Sequence, residues 1–187
     1  MKKMGPVNAL YPMPTTIVGA TVNARPNFLA VAHVGIMNHD TPQYVSIGLN
    51  KAHFTNAGIR ENGTFSICLP SEDLVVETDY CGIVSGRKTD KAVLFDVFYG
   101  ELQTAPMISQ CPICMECRLD RILDFPRHQI FIGELVQTYV QESVISEGSI
   151  DLVKIKPLLF DMNTKRYYAL GGSLGDCWSI GKRLKGA

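Results

Sequence analysis

Short runs of β-branched and aromatic residues, separated by turn signals about every ten residues, recur through most of this chain, and only two stretches carry a helical pattern. Thr15 to Val22 (TTIVGATV) reads as a strand, and the Asn23-Ala-Arg-Pro-Asn27 segment after it is turn chemistry. Ala30 to Val34 and Gln43 to Leu49 read as the next two strands, with Asp40-Thr-Pro42 between them. Phe65 to Leu69 is a fourth, closed by Pro70. Val93 to Tyr99, Met115 to Leu123 and Gln129 to Val140 follow, and Ile150 to Leu159 is a candidate final strand. Thr55 is placed to cap a short helix through Arg60 that Gly63 ends. Ser71 is placed to cap a longer one, Glu72 to Val84, with Leu74, Val75, Tyr80, Cys81 and Val84 along one stripe and Gly86 past its end. Helices that do not alternate with strands argue against a doubly wound parallel sheet. The expected class is mainly β: an antiparallel barrel with peripheral helices.

A chain of 187 residues and 20.6 kDa is the size of one domain, 1–187, and at that size about 70% of the unfolded surface can be buried. Lys plus Arg and Asp plus Glu stand at 18 each, so there is no basic excess to neutralise phosphates and no nucleic-acid partner is expected. Charged residues make up 19%, below the usual quarter, which is the composition of a surface partly covered by a second subunit or a large ligand. Lys2 and Lys3 are followed by no apolar signal core, and the longest apolar run, Phe28 to Met37, is about half a membrane span. The expectation is a cytoplasmic protein without membrane association, its six cysteines reduced.

The common nucleotide-loop and zinc-protease motifs are absent, and Gly171-Gly-Ser-Leu-Gly175 reads as a turn. Asn50-Lys51-Ala-His-Phe-Thr55-Asn56 follows a strand and opens a helix, so free backbone N–H groups, Lys51 and the Thr55 hydroxyl suit an anion. Alone, a Thr cap beside a solvated Lys is the commoner meaning of such a segment. Ser85-Gly-Arg-Lys-Thr-Asp-Lys91 is a second basic loop, which converges with the first only if the fold brings them together. For Cys111-Pro-Ile-Cys114-Met-Glu-Cys117 the order of readings is buried thiols, then a redox pair, then a metal site. A fourth ligand is missing nearby, and strand geometry would turn alternate thiols apart, so no metal ligands are assigned. His33 in an apolar run reads as a core imidazole, and His128 opens the strongest strand at a barrel rim. No nucleophile elbow supports a hydrolase.

Seven of these segments, in order, resemble the flavin reductase-like, FMN-binding split-barrel proteins, and among them the flavoredoxin branch. They are Pro14 to Thr21, Arg25 to Ala30, Asn50 to Ile59, Phe65 to Pro70, Tyr80 to Lys91, His128 to Glu134 and Tyr168 to Gly171. The resemblance implies an antiparallel Greek-key split barrel and a homodimer with one FMN per protomer near the interface. It places the phosphate against Lys51, Thr55, Ser85 and Lys88 or Lys91, and the ring along Asn23, Asn27, Ala30 and His33 with backbone from Gly48 and Leu49. Thr21, Asn50 and Gly86 in the matched segments complete the implied cofactor set. His33 and His128 are the implied catalytic positions, His128 near where an electron donor would stack, with Asn27 and His33 as donors toward the reactive edge of the ring. Many relatives carry an aromatic residue at His33 and an arginine at Lys51; Lys51 lacks the arginine fork. The implied activity is a flavin or ferric reductase taking electrons from NAD(P)H. The alternatives are an FMN electron carrier reduced by a partner protein, and a metal or redox-switch protein built on the cysteines.

Overall fold

The computed structural model describes residues 1–186, so the last residue of the expected 1–187 domain lies outside the described residues. The chain opens with β1 (Met13–Pro14), β2 (Thr16–Val22), β3 (Arg25–Val31), β4 (Val34–Asn38) and β5 (Tyr44–Asn50). After α1 (Thr55–Asn62) come β6 (Thr64–Leu69) and α2 (Val75–Ile83). The short pair β7 (Val97–Phe98) and β8 (Met107–Ile108) leads into two long strands, β9 (Ile113–Asp124) and β10 (His128–Val140). The C-terminal part holds β11 (Ile145–Ser146), β12 (Ser149–Ile150), α3 (Leu152–Ile155), β13 (Leu159–Asp161) and β14 (Arg166–Tyr168).

One seven-stranded antiparallel sheet, ordered β3-β2-β6-β9-β10-β5-β4, carries the fold, and β1, β13 and β14 form a second sheet of three. The large sheet coils but its ladder does not close: β3 and β4 are its edges. The two edges approach where the Gly48 N–H on β5 donates to the His33 carbonyl at 2.7 Å, in the link between β3 and β4. The mainly β, split-barrel expectation is met.

Strand alternation builds two apolar layers, because side chains at i and i+2 share a face. Val18, Leu29, Val31, Ile47, Leu49, Phe65, Ile67 and Phe131 fill the coiled interior. Their neighbours Ile17, Phe28 and Cys68 face outward and are covered by Cys81 of α2 and by Phe95, Met107 and Ile108. Phe28, Phe65 and Phe131 are completely buried, each stabilising the fold by about 1.5–3 kcal/mol. Helix α1 lies on β2 through Gly58, where an added Cβ would collide with the Thr21 carbonyl.

Several elements depart from the sequence reading. Arg25 to Asn27 are strand rather than turn, because Asn23 and Ala24, at φ 51° and 59°, make a two-residue hairpin by themselves. Thr55 is the first helical residue, with Phe54 at the cap position; the helix ends at Gly63, whose left-handed N–H returns to the Ile59 carbonyl. The longer helix begins as a 3-10 turn, Glu72–Leu74, before α2; Ser71 makes no cap bond, and Tyr80 is exposed. Val93 to Tyr99 is a 3-10 turn, Ala92–Leu94, followed by the two residues of β7. Ile150 to Leu159 breaks because the Asp151 carboxylate accepts the Val153 and Lys154 N–H groups and starts α3.

Candidate functional site

Three hollows run together along the edge where β3, the loop after β5 and the end of α2 meet. The first, about 380 Å³, has Ala30, Val31 and Gly48 on its floor, His33, His53 and His128 at its rim, and Phe160, Met162 and Tyr167 above. The second, about 220 Å³, lies between the loop bearing His53, Phe54 and Thr55 and the stretch Gly82 to Gly86. The third, about 430 Å³, is lined by Asn23, Arg25, Asn27, Phe54 and the loop Gly86 to Lys91. His53 and Gly82 belong to the first and second hollows; Asn27, Phe54, Gly86 and Lys91 belong to the second and third. The result is one groove, apolar at one end and basic at the other.

At the basic end Lys91 is buried, 3% exposed, and its ammonium donates to the Cys81 and Val84 carbonyls at 3.1 and 3.2 Å. These carbonyls close the C-terminal end of α2, which has no basic residue in its last turn, so Lys91 supplies the cation such an end favours. Burial lowers the Lys91 pKa from its ordinary value. The guanidinium of Arg87 sits over the Phe54 ring, 5.4 Å from its centroid. Asn27 Nδ2 donates to Thr55 Oγ1 at 2.8 Å, which leaves the Thr55 hydroxyl proton free for another acceptor. Gly86 packs so close to Asn27 that a Cβ there would collide with the Asn27 side-chain amide oxygen, Oδ1.

At the apolar end Asn50 organises the loop. Its carbonyl accepts the His53 N–H at 3.0 Å and Asn56 Nδ2 at 2.8 Å, and its side-chain oxygen accepts the Ala52 N–H. His128 stands opposite Asn50 in the β10–β5 ladder. Partial burial, and then the neighbouring His128, lower the pKa of both His33 and His53. His53 Nδ1 and Thr15 Oγ1 are buried without a hydrogen-bond partner in the protein. Tyr167 donates to Asp79 at 3.0 Å, and burial with this bond pushes its phenol up to about 12. The Tyr167 and Phe160 rings lie 5.6 Å apart.

The structure divides the candidate residues taken from the sequence. Ala30, His33, Gly48, Asn50 and His128 meet at the apolar end; Asn27, Thr55, Ser85, Gly86 and Lys91 line the middle; Asn23 and Lys88 lie at the basic end. The two basic loops therefore do converge, through Thr55, Ser85 and Lys91. Asn23 and Asn27 lie with the cations and away from His33. Lys51 lines none of the three hollows and is paired with Asp124 at 2.8 Å. Leu49 is wholly within the interior, and Thr21 lines none of the three hollows, its carbonyl held by Asn62. His33 is exposed in the link after β3, where its Nε2 is 3.1 Å from the Tyr11 hydroxyl, rather than a core imidazole. Sequence reasoning missed His53, Arg87 and Tyr167. His53 and Arg87 sat inside segments already singled out, whereas nothing local marks Tyr167. Among the described residues no group of His, Cys, Asp and Glu is arranged to hold a metal ion, and no helix is long and apolar enough to cross a membrane.

Residues 8–170 match the flavin reductase like domain. The chain belongs to the flavin reductase-like family, and within it to the flavoredoxin branch. It is 42% identical to the flavoredoxin of Methanosarcina acetivorans, with a TM-score of 0.93 over 98% of this chain and all of that one. It is 34% identical to the flavoredoxin of Desulfovibrio vulgaris (Miyazaki F), with a TM-score of 0.89 over 97% of this chain and 100% of that chain. An FMN-binding protein from Thermus thermophilus, solved with 1-cyclohex-2-enone bound, shares the fold at 21% identity and a TM-score of 0.79, over 94% of this chain and 98% of that one.

Proposed function

We propose that this chain is an FMN-dependent oxidoreductase of the electron-transfer kind, holding the cofactor along the three-part groove. The observation that carries the reading is the groove's unbroken change from a basic end to an apolar end lined by unpartnered polar atoms. FMN has the matching order of parts: a phosphate, a hydroxylated chain, and a flat ring with one polar edge. Lys88, Arg87 and Lys91, with the Ser85 and Thr55 hydroxyls, would hold the phosphate. His53 Nδ1 and Thr15 Oγ1 gain partners from a ligand rich in hydroxyl and imide groups. Ala30, Val31 and Gly48 offer the ring an apolar floor. Bound FMN would supply the one- and two-electron chemistry that no side chain here provides. The protein's part is to bind, orient and shield it, with His33 and His128 at the open rim.

The carrier reading, with a partner protein as electron donor, is supported by the two flavoredoxins described above, at 42% and 34% identity. In the second reading, reduction by NAD(P)H, the donor's flat ring would approach at the end of the hollow lined by His33, His128, Phe160 and Tyr167. A homodimer in the cytoplasm, folded as one unit over the chain, belongs to the same proposal. The test is the absorption spectrum of the purified protein before and after anaerobic addition of NADH or NADPH. A yellow protein supports the cofactor; rapid bleaching selects the nicotinamide reading, and colour that yields only to a reduced protein donor selects the carrier. Colourless protein that fails to take up added FMN overturns the proposal.

A further inference from the structure

The three clustered cysteines do not act as a set. Cys117 points into the coiled interior, while Cys111 and Cys114 lie in the outer apolar layer with Phe28, Met107 and Ile108. Cys68, 43 residues before Cys111 by their numbers, replaces Cys117 in the group. Cys68 on β6 and Cys114 on β9 are direct partners in the antiparallel ladder. Opposed Cα atoms in such a ladder lie about 4.5 or 5.5 Å apart, and a disulfide spans about 4.4–6.8 Å. Cys111 lies in the same buried cluster as the other two, and the Cys114 thiol donates to the Ile108 carbonyl at 3.3 Å. None of the three is in a disulfide. They are buried, yet Cys111 and Cys114 also line a hollow of about 240 Å³ that opens between Phe98, Tyr139 and Gln141.

We propose that Cys114 and Cys68 form a thiol–disulfide exchange pair that reacts with a small-molecule disulfide admitted through this hollow, with Cys111 as a bystander beside them. The Cys114 thiol loses its proton and its sulfur attacks one sulfur of R–S–S–R. A protein–S–S–R bond forms and one R–S⁻ leaves, taking up the proton. The Cys68 sulfur then attacks the Cys114 sulfur, and the second R–S⁻ leaves with the Cys68 proton. Two protein thiols are thereby oxidised to one disulfide while one R–S–S–R is reduced to two R–SH. The neighbouring Cys111 thiol, together with burial, pushes the Cys114 thiol up to about 12. Exchange is accordingly slow at neutral pH and speeds by about tenfold per pH unit toward pH 10, as the thiolate fraction rises. This site is separate from the groove and stands whether or not the groove binds FMN.

The test uses the full-length chain carrying Cys177→Ser, because exposed Cys177 would react by itself. Folded, reduced protein is incubated with excess dithiodipyridine without oxygen, and released thiopyridone and intact protein mass are followed. The expected result is two thiopyridones per chain, a protein lighter by the mass of two hydrogens with no pyridyl adduct, and a Cys68–Cys114 link in the peptide map. Adding Cys68→Ser should stop the reaction at one thiopyridone with the adduct retained on Cys114; adding Cys111→Ser should leave the disulfide forming. No release from the folded protein, stable adducts without loss of mass, or a Cys111–Cys114 link would each overturn the proposal.

Discussion

At the scale of single residues, the groove depends on backbone that approaches side chains too closely for substitution. Gly86 is the sharpest case, since a methyl group there pushes Asn27 off Thr55 and turns the Thr55 hydroxyl away from the basic end. Gly86→Ala should weaken FMN binding by about tenfold or more, the equivalent of one well-made hydrogen bond, read by quenching of flavin fluorescence. The two histidines give a pH dependence whose sign is fixed by the direction of their shifts. His33 and His53 both titrate below the ordinary 6.5 in the folded protein, so the unfolded chain takes up protons first as pH falls. Stability from this source is fully present above pH 6.5 and is lost as pH drops through the lowered folded values. Urea midpoints should therefore fall on acidification below pH 6.5, and His53→Gln should flatten that fall.

Among the elements, the hairpin between β2 and β3 holds its turn with Asn23 and Ala24 both at positive φ, a conformation that suits Asn-Gly far better than Asn-Ala. Ala24→Gly should raise stability by about 0.5–1 kcal/mol in urea denaturation without changing the slope. The long strands were legible because alternation over Gln129 to Val140 and the β-branched run of β2 leave no other periodicity. Pro26 hid the start of β3: it looks like turn chemistry, and it is tolerated because β3 is an edge strand. The apolar run after Ile150 hid α3, and the signal that could have revealed it was Asp151 in capping position. Val93 and Leu94 read as strand because they are apolar, yet both are exposed. The thiol pairing was illegible for a similar reason: chain spacing groups Cys111, Cys114 and Cys117, and only strand register brings in Cys68.

Over the whole molecule, the basic half of the groove could be suspected from two charged loops, but the apolar half is assembled from Thr15, Ala30, Gly48, His128 and Tyr167, which no local pattern connects. Lys51 shows the converse, a residue in the right segment whose ammonium is engaged elsewhere by Asp124. The outer surface carries Val76, Ile83 and Val93, each more than 70% exposed, beside a chain of low charge content. The homodimer proposed above would cover apolar side chains such as these. The protein should sediment at twice its 20.6 kDa chain mass, and Ile83→Lys should shift it toward the single-chain value. The hydrogen bond from Tyr167 to Asp79 joins the small C-terminal sheet to α2, and that sheet also brings Phe160 and Met162 over the groove. A polypeptide released before Leu159 would carry all seven strands of the large sheet and every cation of the basic loops, yet lack the roof. In such a truncated chain the ring end of the groove would stand open to water on that side, so the colour taken up from added FMN would report whether the small sheet is docked.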